Sequence, residues 1–340
     1  MAAPDSLAPA TADALRARLA AHPFMLAPMA GVTDAVYRTV ARRRGCPLAY
    51  TEMVSVAGLA FDSERTWDLV LPGPEEPEVA VQLFGSRPEQ FAPAAAQVCE
   101  RLGMRLALID INMACPVPKV FKKGEGCALM GTPEVAEACV REAMRGAEGR
   151  VPVTVKIRAG IRSGEVVAPE FARRMEAAGA CGVAVHGRSA AQLYRGQADW
   201  GVIARVARAV GVPVIGSGDV YEPADAVRML GETGCAGVFV ARGSYGDPWF
   251  FARAEALLAT GELPPEPGVV ERLEALREHV AMYAQQGRHM ARLRPLVGWY
   301  VKGLPGASSW RARGMACADE AAYLELIDEM EQACREHGMR

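Results

Sequence analysis

The sequence predicts an α/β protein, a (β/α)8 TIM barrel followed by a small C-terminal helical domain. Eight short segments rich in Val, Ile and Ala alternate with helical segments over about 240 residues, which is the repeat number and length of such a barrel. These segments are apolar almost without interruption, as expected of parallel strands buried on both faces. Toward the C-terminus the strand pattern stops, and apolar residues recur only at helical spacing.

Each predicted strand is rich in small or β-branched residues and stops at a glycine, a proline or a polar residue. The strands are predicted at residues 24–29, 48–53, 79–84, 106–112, 151–157, 182–186, 212–216 and 237–241. Thr33 is predicted to cap the first helix, because a threonine hydroxyl accepts from the first backbone amides of a helix. The helices are predicted at residues 33–44, 54–69, 88–102, 133–145, 168–178, 201–209 and 223–230, with an eighth ending near residue 258. A basic, glycine-rich loop is expected at residues 119–131.

Three regions are expected along the chain. Residues 1–22 form an N-terminal extension, loose or helical, and residues 23–260 form the catalytic barrel. Residues 261–340 form the helical domain, which begins with a linker rich in proline and glutamate. Its helices are predicted at residues 269–286, 290–302 and 319–336.

The overall composition excludes several functional classes. The chain has 340 residues with 38 basic and 40 acidic side chains, so its net charge of −2 gives no reason to expect nucleic acid binding. Nine cysteines without a CxxC pair argue for reduced thiols in the cytoplasm, and against a disulfide framework or a metal site. Asp5 and Asp13 lie where a signal peptide needs an apolar core, and no apolar run approaches about 18 residues, so we expect no membrane span. Nothing implies a protein partner.

Cys115 is the predicted catalytic residue. It comes just after the fourth strand, where Pro116 breaks the strand pattern, and Asn112 lies three residues earlier. In a parallel α/β barrel the carboxyl ends of the strands carry the chemistry. A thiol at this place could act as a general acid or as a nucleophile. The alternative is that Cys115 is a small buried apolar residue, as the other eight cysteines are expected to be.

The loops after the seventh and eighth strands are glycine-rich and are expected to bind a phosphate. They read GSGD at 216–219 and ARGS at 241–244. Glycine lets backbone N–H groups close around an anion, and these two loops form the usual phosphate site of a TIM barrel. Arg242 would add a charged contact. The alternative is that the glycines only make tight turns.

Other strand ends carry groups that can surround a flat heterocycle, namely residues 28–30, Gln82, Lys156 and His186. The amide of Gln82 can both donate to and accept from a pyrimidine-like edge. Lys156 can hold negative charge on a reduced ring, and a buried lysine is costly unless it is paired. This combination indicates flavin chemistry. For His186, a hydrogen-bonded core histidine is the alternative.

Basic clusters indicate RNA despite the net negative charge. Lys119, Lys122 and Lys123 lie beside the predicted catalytic cysteine, and residues 42–44 are all arginine. Residues 287–313 hold basic side chains and three large aromatic ones without a single acidic residue. Basic groups can follow a phosphate backbone while aromatic rings stack on bases. The alternative is a solvated helix face.

The sequence resembles the tRNA-dihydrouridine synthases over nearly the whole chain. The matching segments are APMAGVTD (27–34), TEM (51–53), VQLFG (81–85), DINMACP (110–116), VKIR (155–158), VHGR (185–188), GD (218–219) and GDPWF (246–250). The loop after the fourth strand and VGWY at 297–300 resemble the bacterial type B branch. The family often has Gly where this chain has Ala114 and Ala241, and usually Asn where it has Ser217. The resemblance therefore implies that the contact of one side-chain amide with the cofactor is weakened or absent here.

The resemblance implies an FMN-binding barrel followed by a tRNA-binding helical domain, with Cys115 as proton donor. The residues expected to hold FMN are Pro28, Met29, Ala30, Gln82, Lys156, His186, Ser217, Gly218, Asp219, Ala241 and Arg242. The residues expected to face the uridine or the rest of the tRNA are Asn112, Lys119, Lys122, Lys123, Arg158, Arg292, Arg294 and Lys302.

The resulting hypothesis is a flavin-dependent reduction of RNA. NADPH reduces FMN, hydride then reaches C6 of a uridine flipped out of tRNA, and Cys115 protonates C5. Lys156 stabilises the reduced, anionic cofactor. Two alternatives remain, a flavin-dependent dehydrogenase of a small free pyrimidine and a non-catalytic RNA-binding barrel protein. The first leaves the basic helical tail unexplained.

Overall fold

A computed structural model describes residues 7–339 and confirms the predicted fold class. Eight parallel strands form one sheet, in the order β1-β8-β7-β6-β5-β4-β3-β2. Leu26 bridges Ala49 just before β2, which brings the two ends of the sheet together as a barrel. The strands are β1 Phe24–Leu26, β2 Tyr50–Ser55, β3 Val79–Phe84, β4 Leu106–Met113, β5 Val153–Arg158, β6 Gly182–His186, β7 Val214–Ser217 and β8 Gly237–Val240.

Proline explains why three strands are shorter than predicted. β1 ends before Pro28, whereas β5 and β7 begin just after Pro152 and Pro213. Proline has no backbone N–H to donate, so it stays outside the ladder. Its carbonyl still accepts, since Ile109 N donates to Pro152 O over 3.0 Å and Val183 N to Pro213 O over 3.1 Å.

One helix, α1 Leu7–Ala21, precedes the barrel, and most of the others alternate with the strands around its outside. The others up to residue 260 are α2 Ala35–Arg43, α3 Val56–Leu59, α4 Glu64–Val70, α5 Phe91–Leu102, α6 Pro118–Phe121, α7 Pro133–Ala147, α8 Ala168–Ala177, α9 Trp200–Ala209, α10 Pro223–Thr233 and α11 Phe250–Thr260. The loop expected at 119–131 is partly helical, with α6 and a 3-10 stretch at Gly126–Gly131.

The predicted cap of α2 was wrong by one residue. Asp34 is the N-cap, and its carboxylate accepts from Tyr37 N over 3.0 Å. The hydroxyl of Thr33 instead accepts from Met29 N over 3.1 Å and donates back to Met29 O. Thr33 therefore holds the loop after β1 in place through Met29.

The C-terminal region is helical as predicted, with one helix that the sequence did not indicate. It contains α12 Val269–Gln285, α13 Arg294–Tyr300, α14 Ala307–Ala316 and α15 Glu320–Glu336. α14 was missed because Gly314 is its only buried residue, so its sequence lacks an apolar stripe. α12 packs against both α2 and α15, which joins these helices to the barrel. Within residues 7–339, no helix is long and apolar enough to cross a membrane.

An inner apolar layer closes the amino-terminal end of the barrel. It consists of alternate strand residues, among them Met25, Tyr50 and Phe239, and Leu15 and Leu19 of α1 pack beneath them. Gly182 and Gly237, at the starts of β6 and β8, let these leucines approach: an added Cβ would lie within 2.7 Å and 2.8 Å of them. α1 therefore covers the amino-terminal end of the barrel.

Replacing a leucine of α1 should destabilise the whole barrel. We expect Leu15→Ala to lower the free energy of unfolding by about 2–5 kcal/mol, because the side chain is buried and its removal leaves a cavity. Urea denaturation followed by circular dichroism measures the change. Leu263→Ala is the matched control, since that leucine is 46% exposed. Equal unfolding midpoints for the two variants would show that α1 does not stabilise the barrel.

Candidate active site at the carboxyl ends of the strands

A cavity of about 690 Å³ opens at the carboxyl ends of the strands. Its wall includes Cys115, Asn112 and Arg158, three of the residues singled out from the sequence. All the residues predicted to hold the cofactor also line it: Pro28, Met29, Ala30, Gln82, Lys156, His186, Ser217, Gly218, Asp219, Ala241 and Arg242. The fold thus brings together side chains from across the whole barrel sequence.

Cys115 lies on this wall and is half-buried, whereas the other eight cysteines, all within the described residues, are buried. Two contacts fix its backbone: Cys115 N donates to Asn112 Oδ1 over 2.9 Å, and Cys127 N donates to Cys115 O over 3.1 Å. Gly126 has a φ of +61°, and a Cβ there would lie 2.7 Å from Cys115 O. The chain after β4 therefore folds back closely on the cysteine.

Three buried polar side chains connect the barrel interior to the cavity. Gln82 Nε2 donates to Asp110 Oδ2 over 2.7 Å, and Asn112 Nδ2 donates to Gln82 Oε1 over 2.8 Å. Thr154 donates to the other carboxylate oxygen of Asp110 over 2.7 Å. Burial raises the pKa of Asp110 to about 6, while these hydrogen bonds and the charge of Lys156 oppose the shift.

Lys156 and His186 both line the cavity but differ in charge. Lys156 is buried and, within residues 7–339, donates no hydrogen bond. Burial and the neighbouring Arg158 lower its pKa to about 8, against the attraction of Asp110. Burial lowers the pKa of His186 well below its usual value, and nearby cations add to the shift, Lys156 first. Near neutral pH the cavity therefore holds one ammonium beside a neutral imidazole.

The loops after β7 and β8 form one end of the cavity. Gly218 has a φ of +114°, and a Cβ there would lie 2.7 Å from the His186 ring. In the described part of the chain, the backbone amides of Gly218, Asp219 and Arg242 donate to no acceptor. The Arg242 guanidinium lies over the rings of Tyr194 and Tyr221, at 5.3 Å and 5.1 Å. Unpaired amides beside an arginine suit a phosphate.

Asp219 braces a neighbouring loop. Its carboxylate accepts from Arg188 Nη2 over 2.8 Å and from Ala198 N over 2.7 Å. Arg188 is buried and also donates to the carbonyls of Arg195 and Gly196. Sequence reasoning gave Arg188 no role, although its position right after a strand-end histidine and glycine was a usable signal.

Arg158 likewise holds loops in place. Its guanidinium donates to Ala114 O over 2.8 Å, and to Ser189 O and Leu193 O over 3.0 Å each. These bonds tie the residue before Cys115 to the loop after β6. Arg158 lines the cavity, but most of its donors are already engaged.

Apart from Arg158, the basic residues predicted to contact tRNA lie outside the cavity wall. Lys119, Lys122 and Lys123 are exposed on and after α6, close in sequence to Cys115. Lys302 is exposed as well, and Arg294 is half-buried with an unpaired Nε. Arg292 instead forms ion pairs with Glu52 over 2.6 Å and with Asp34 over 3.5 Å.

The basic window at 287–313 has acidic partners elsewhere in the chain. Arg288 pairs with Asp68, and Arg313 pairs with Glu329, as Arg292 pairs with Glu52. A window without acidic residues in the sequence therefore still has acidic neighbours in the fold, because ion pairs form between residues distant in sequence. That this window binds RNA stays a prediction.

Of the aromatic residues of this window, Tyr300 is buried, whereas Trp299 and Trp310 are half-buried. Tyr300 is buried and its hydroxyl lies 3.1 Å from His279 Nε2. Trp299 stacks on Tyr245 with ring centroids 3.9 Å apart, and Tyr245 lines the cavity. Trp310 Nε1 donates to Pro305 O. For Tyr300 and Trp299, the expectation that the rings stack on bases does not fit this packing, which instead joins α13 to the loop after β8.

Comparisons with known proteins give matches over most of the chain. The model of the family described as "Dihydrouridine synthase (Dus)" matches residues 25–336. A probable tRNA-dihydrouridine synthase 1 of Synechocystis sp. is 40% identical, covering 89% of this chain and 84% of its own. The tRNA-dihydrouridine synthase B of Pseudomonas aeruginosa is 37% identical over 85% of this chain and 87% of its own.

Solved structures support the fold alone. Histamine dehydrogenase from Rhizobium sp. 4-9 superposes with a TM-score of 0.53 at 12% identity, over 87% of this chain and 62% of that one. The barrel architecture is thus shared with a protein of very different sequence.

Proposed function

The chain belongs to the dihydrouridine synthase family, and on that premise we propose that it reduces specific uridines of tRNA to 5,6-dihydrouridine. The observation that carries this proposal is the position of Cys115. It is the half-buried one among nine cysteines, and it shares a cavity with the anion-suited loops after β7 and β8. A proton donor beside a cofactor site is what reduction of a carbon–carbon double bond requires.

FMN fits the side chains and amides that line the cavity. Its phosphate would meet the unpaired amides of Gly218, Asp219 and Arg242, where a side chain at Gly218 would collide with His186. Gln82, with residues 28–30, would hold the ring system, and Lys156 would face it as an ammonium without a hydrogen-bond acceptor in the described protein. When bound, FMN would supply the redox chemistry of the reaction, the passage of reducing equivalents from NADPH to C6 of the uridine.

The chain itself supplies charge, orientation and a proton. Lys156 stabilises negative charge from its buried position, while neutral His186 adds none. Cys115 donates its thiol proton to C5 of the uracil, and solvent then reprotonates the sulfur. Asn112 holds the backbone of Cys115, while its Nδ2 donates to Gln82 Oε1 and, weakly, to Met53 Sδ.

A surface around the cavity mouth would bind the tRNA. We assign the first contacts to Lys119, Lys122 and Lys123, which are exposed and have no ion pair in the described structure. Lys302 would extend this surface onto residues 261–340, the proposed tRNA-binding domain. The uridine must leave its stack to reach Cys115. The reaction would take place in the cytoplasm, where tRNA and reduced thiols occur together.

Neutralising the three lysines should weaken tRNA binding. We expect the triple change of Lys119, Lys122 and Lys123 to Ala to lower tRNA affinity about tenfold and to reduce the salt slope by about 2, because fewer counterions are released. Fluorescence anisotropy over a series of salt concentrations measures both quantities.

The control removes the same charge from another part of the surface. Arg141, Arg145 and Arg173 lie exposed on α7 and α8, each paired with a glutamate. Changing all three arginines to Ala should leave the salt dependence of tRNA affinity unchanged. Equal effects of the two triple variants would mean that tRNA responds only to total charge.

The proposed activity is tested by mapping the product. The purified protein with FMN and NADPH should form dihydrouridine at defined positions in tRNA taken from cells that lack this gene, as read by mass spectrometry. Free uridine monophosphate is the comparison substrate. Reduction of the free nucleotide at an equal rate would favour a small-pyrimidine enzyme, and no product from either substrate would refute the proposal.

A further inference from the structure

A continuous series of hydrogen bonds leads from the barrel interior to the backbone of Cys115. It starts at Asp110, which is fully buried, and passes through the amides of Gln82 and Asn112. Asn112 Oδ1 then accepts from Cys115 N over 2.9 Å and from Ala114 N over 3.2 Å. We call the series Asp110–Gln82–Asn112–Cys115 the Asp110 relay.

The donor and acceptor roles along the relay are fixed, because the Asp110 carboxylate can only accept hydrogen bonds. An ionised carboxylate has no proton to donate, so Gln82 must turn its NH2 group toward Asp110 and its oxygen toward Asn112. Asn112 must then donate to Gln82, which leaves its oxygen for Cys115 N. A rotated amide at either position would set donor against donor and forfeit buried hydrogen bonds.

We propose that Asp110 is the positioning residue for the catalytic cysteine. It acts through the two amides of the relay and contacts neither uridine nor FMN. This inference rests on the proposed function for its catalytic meaning. It also fixes what the cavity offers a ligand: Gln82 keeps one N–H and one lone pair, whereas Asn112 Nδ2 also donates weakly to Met53 Sδ over 4.0 Å.

The groups around Asp110 favour its ionised form near neutral pH. Thr154 donates to its second oxygen, and Lys156 of β5 faces it with a positive charge. Tyr50 of β2 also faces it, and burial raises the pKa of that phenol well above its usual value, so the ring adds no charge. Burial of Asp110 works in the opposite direction and brings the pKa of its carboxyl to about 6.

Hydrogen exchange at the Cys115 backbone tests the relay directly. In Asp110→Leu, the amides of Ala114 and Cys115 should exchange about tenfold faster at about pH 8, because Asn112 is no longer held as their acceptor. The kcat for dihydrouridine formation should fall about 10²-fold, while KM for tRNA stays unchanged, since only the thiol is misplaced. Gln82→Leu breaks the next link and should give the same exchange, which decides the matter if Asp110→Leu does not fold.

Two matched variants separate the relay from a general structural role. Thr154→Val removes the other hydrogen bond of Asp110 and should leave the exchange of Ala114 and Cys115 unchanged. Asp110→Asn keeps an oxygen toward Gln82 with its NH2 toward Thr154, and should rescue the slow exchange. The double variant of Asp110 and Gln82 to Leu should exchange no faster than either single variant.

The proposal is overturned if exchange is unchanged in Asp110→Leu or Gln82→Leu, or if Thr154→Val accelerates it equally. The exchange experiment needs neither tRNA nor NADPH. A wild-type protein that makes no dihydrouridine yet shows the expected exchange pattern would therefore refute the proposed function and leave the relay standing.

Discussion

Cys115→Ala is expected to abolish dihydrouridine formation while leaving the cofactor site intact. The thiol touches the proposed substrate position, so its loss should lower kcat about 10²–10⁴-fold, the usual contribution of a general acid. FMN retention and NADPH oxidation without tRNA should be unchanged, because the phosphate loops and Lys156 lie on other strands. Absorbance of the purified protein and mass spectrometry of treated tRNA measure these quantities.

Cys99→Ala is the matched control, since it also removes one thiol but from a buried position on α5. It should turn over as the wild type does. Full reduction of tRNA by the Cys115 variant would assign the proton to another group.

Lys156→Met should make the protein more stable and much less active. The lysine is buried and its pKa is lowered to about 8 from 10.5, so charging it costs up to about 3 kcal/mol near pH 7. Methionine fills similar space without charge, and we expect the free energy of unfolding to rise by about 1–3 kcal/mol. The loss of the ammonium beside the developing negative charge should lower kcat about 10²-fold.

The stability gain should depend on pH with a definite sign. The unfolded chain binds the lysine proton up to its ordinary pKa of 10.5, whereas the folded one releases it above about 8. The wild type therefore gains stability from this group between those values, and its difference from Lys156→Met should shrink as the pH rises. Urea titrations at several pH values measure it. Lys119→Met, at an exposed lysine, should show no gain, and a pH-independent gain at Lys156 would disprove the charge argument.

The sequence allowed much of the barrel to be predicted, because strand composition and glycine loops are local signals. The strand at residues 79–84 and the one at 182–186 were predicted with correct bounds. The residues that line the cavity could also be predicted, because each follows a strand and the carboxyl ends of parallel strands meet at one end of the barrel. Cofactor candidates such as Gln82 and Ser217 thus came together without any knowledge of distances.

Contacts between distant residues could not be predicted in the same way. Arg292 pairs with Glu52, 240 residues away, and a one-dimensional charge count cannot detect that. Asp110 was read only as part of a motif, since nothing local reveals that its carboxylate accepts from an amide on the neighbouring strand. Trp299 and Tyr300 were taken for exposed rings because their positions on α13 do not show what packs against them.

The stack of Tyr245 on Trp299 limits how this enzyme can be re-engineered. The ring of Tyr245 lines the cavity and also contacts Trp299 of the C-terminal helical region. A chimera that takes its C-terminal helices from a relative would remove the stacking contact of Trp299 with Tyr245. We expect the cavity wall at Tyr245 to change shape as a result. A chimera that exchanges the C-terminal helices should therefore exchange the segment around Tyr245 together with them.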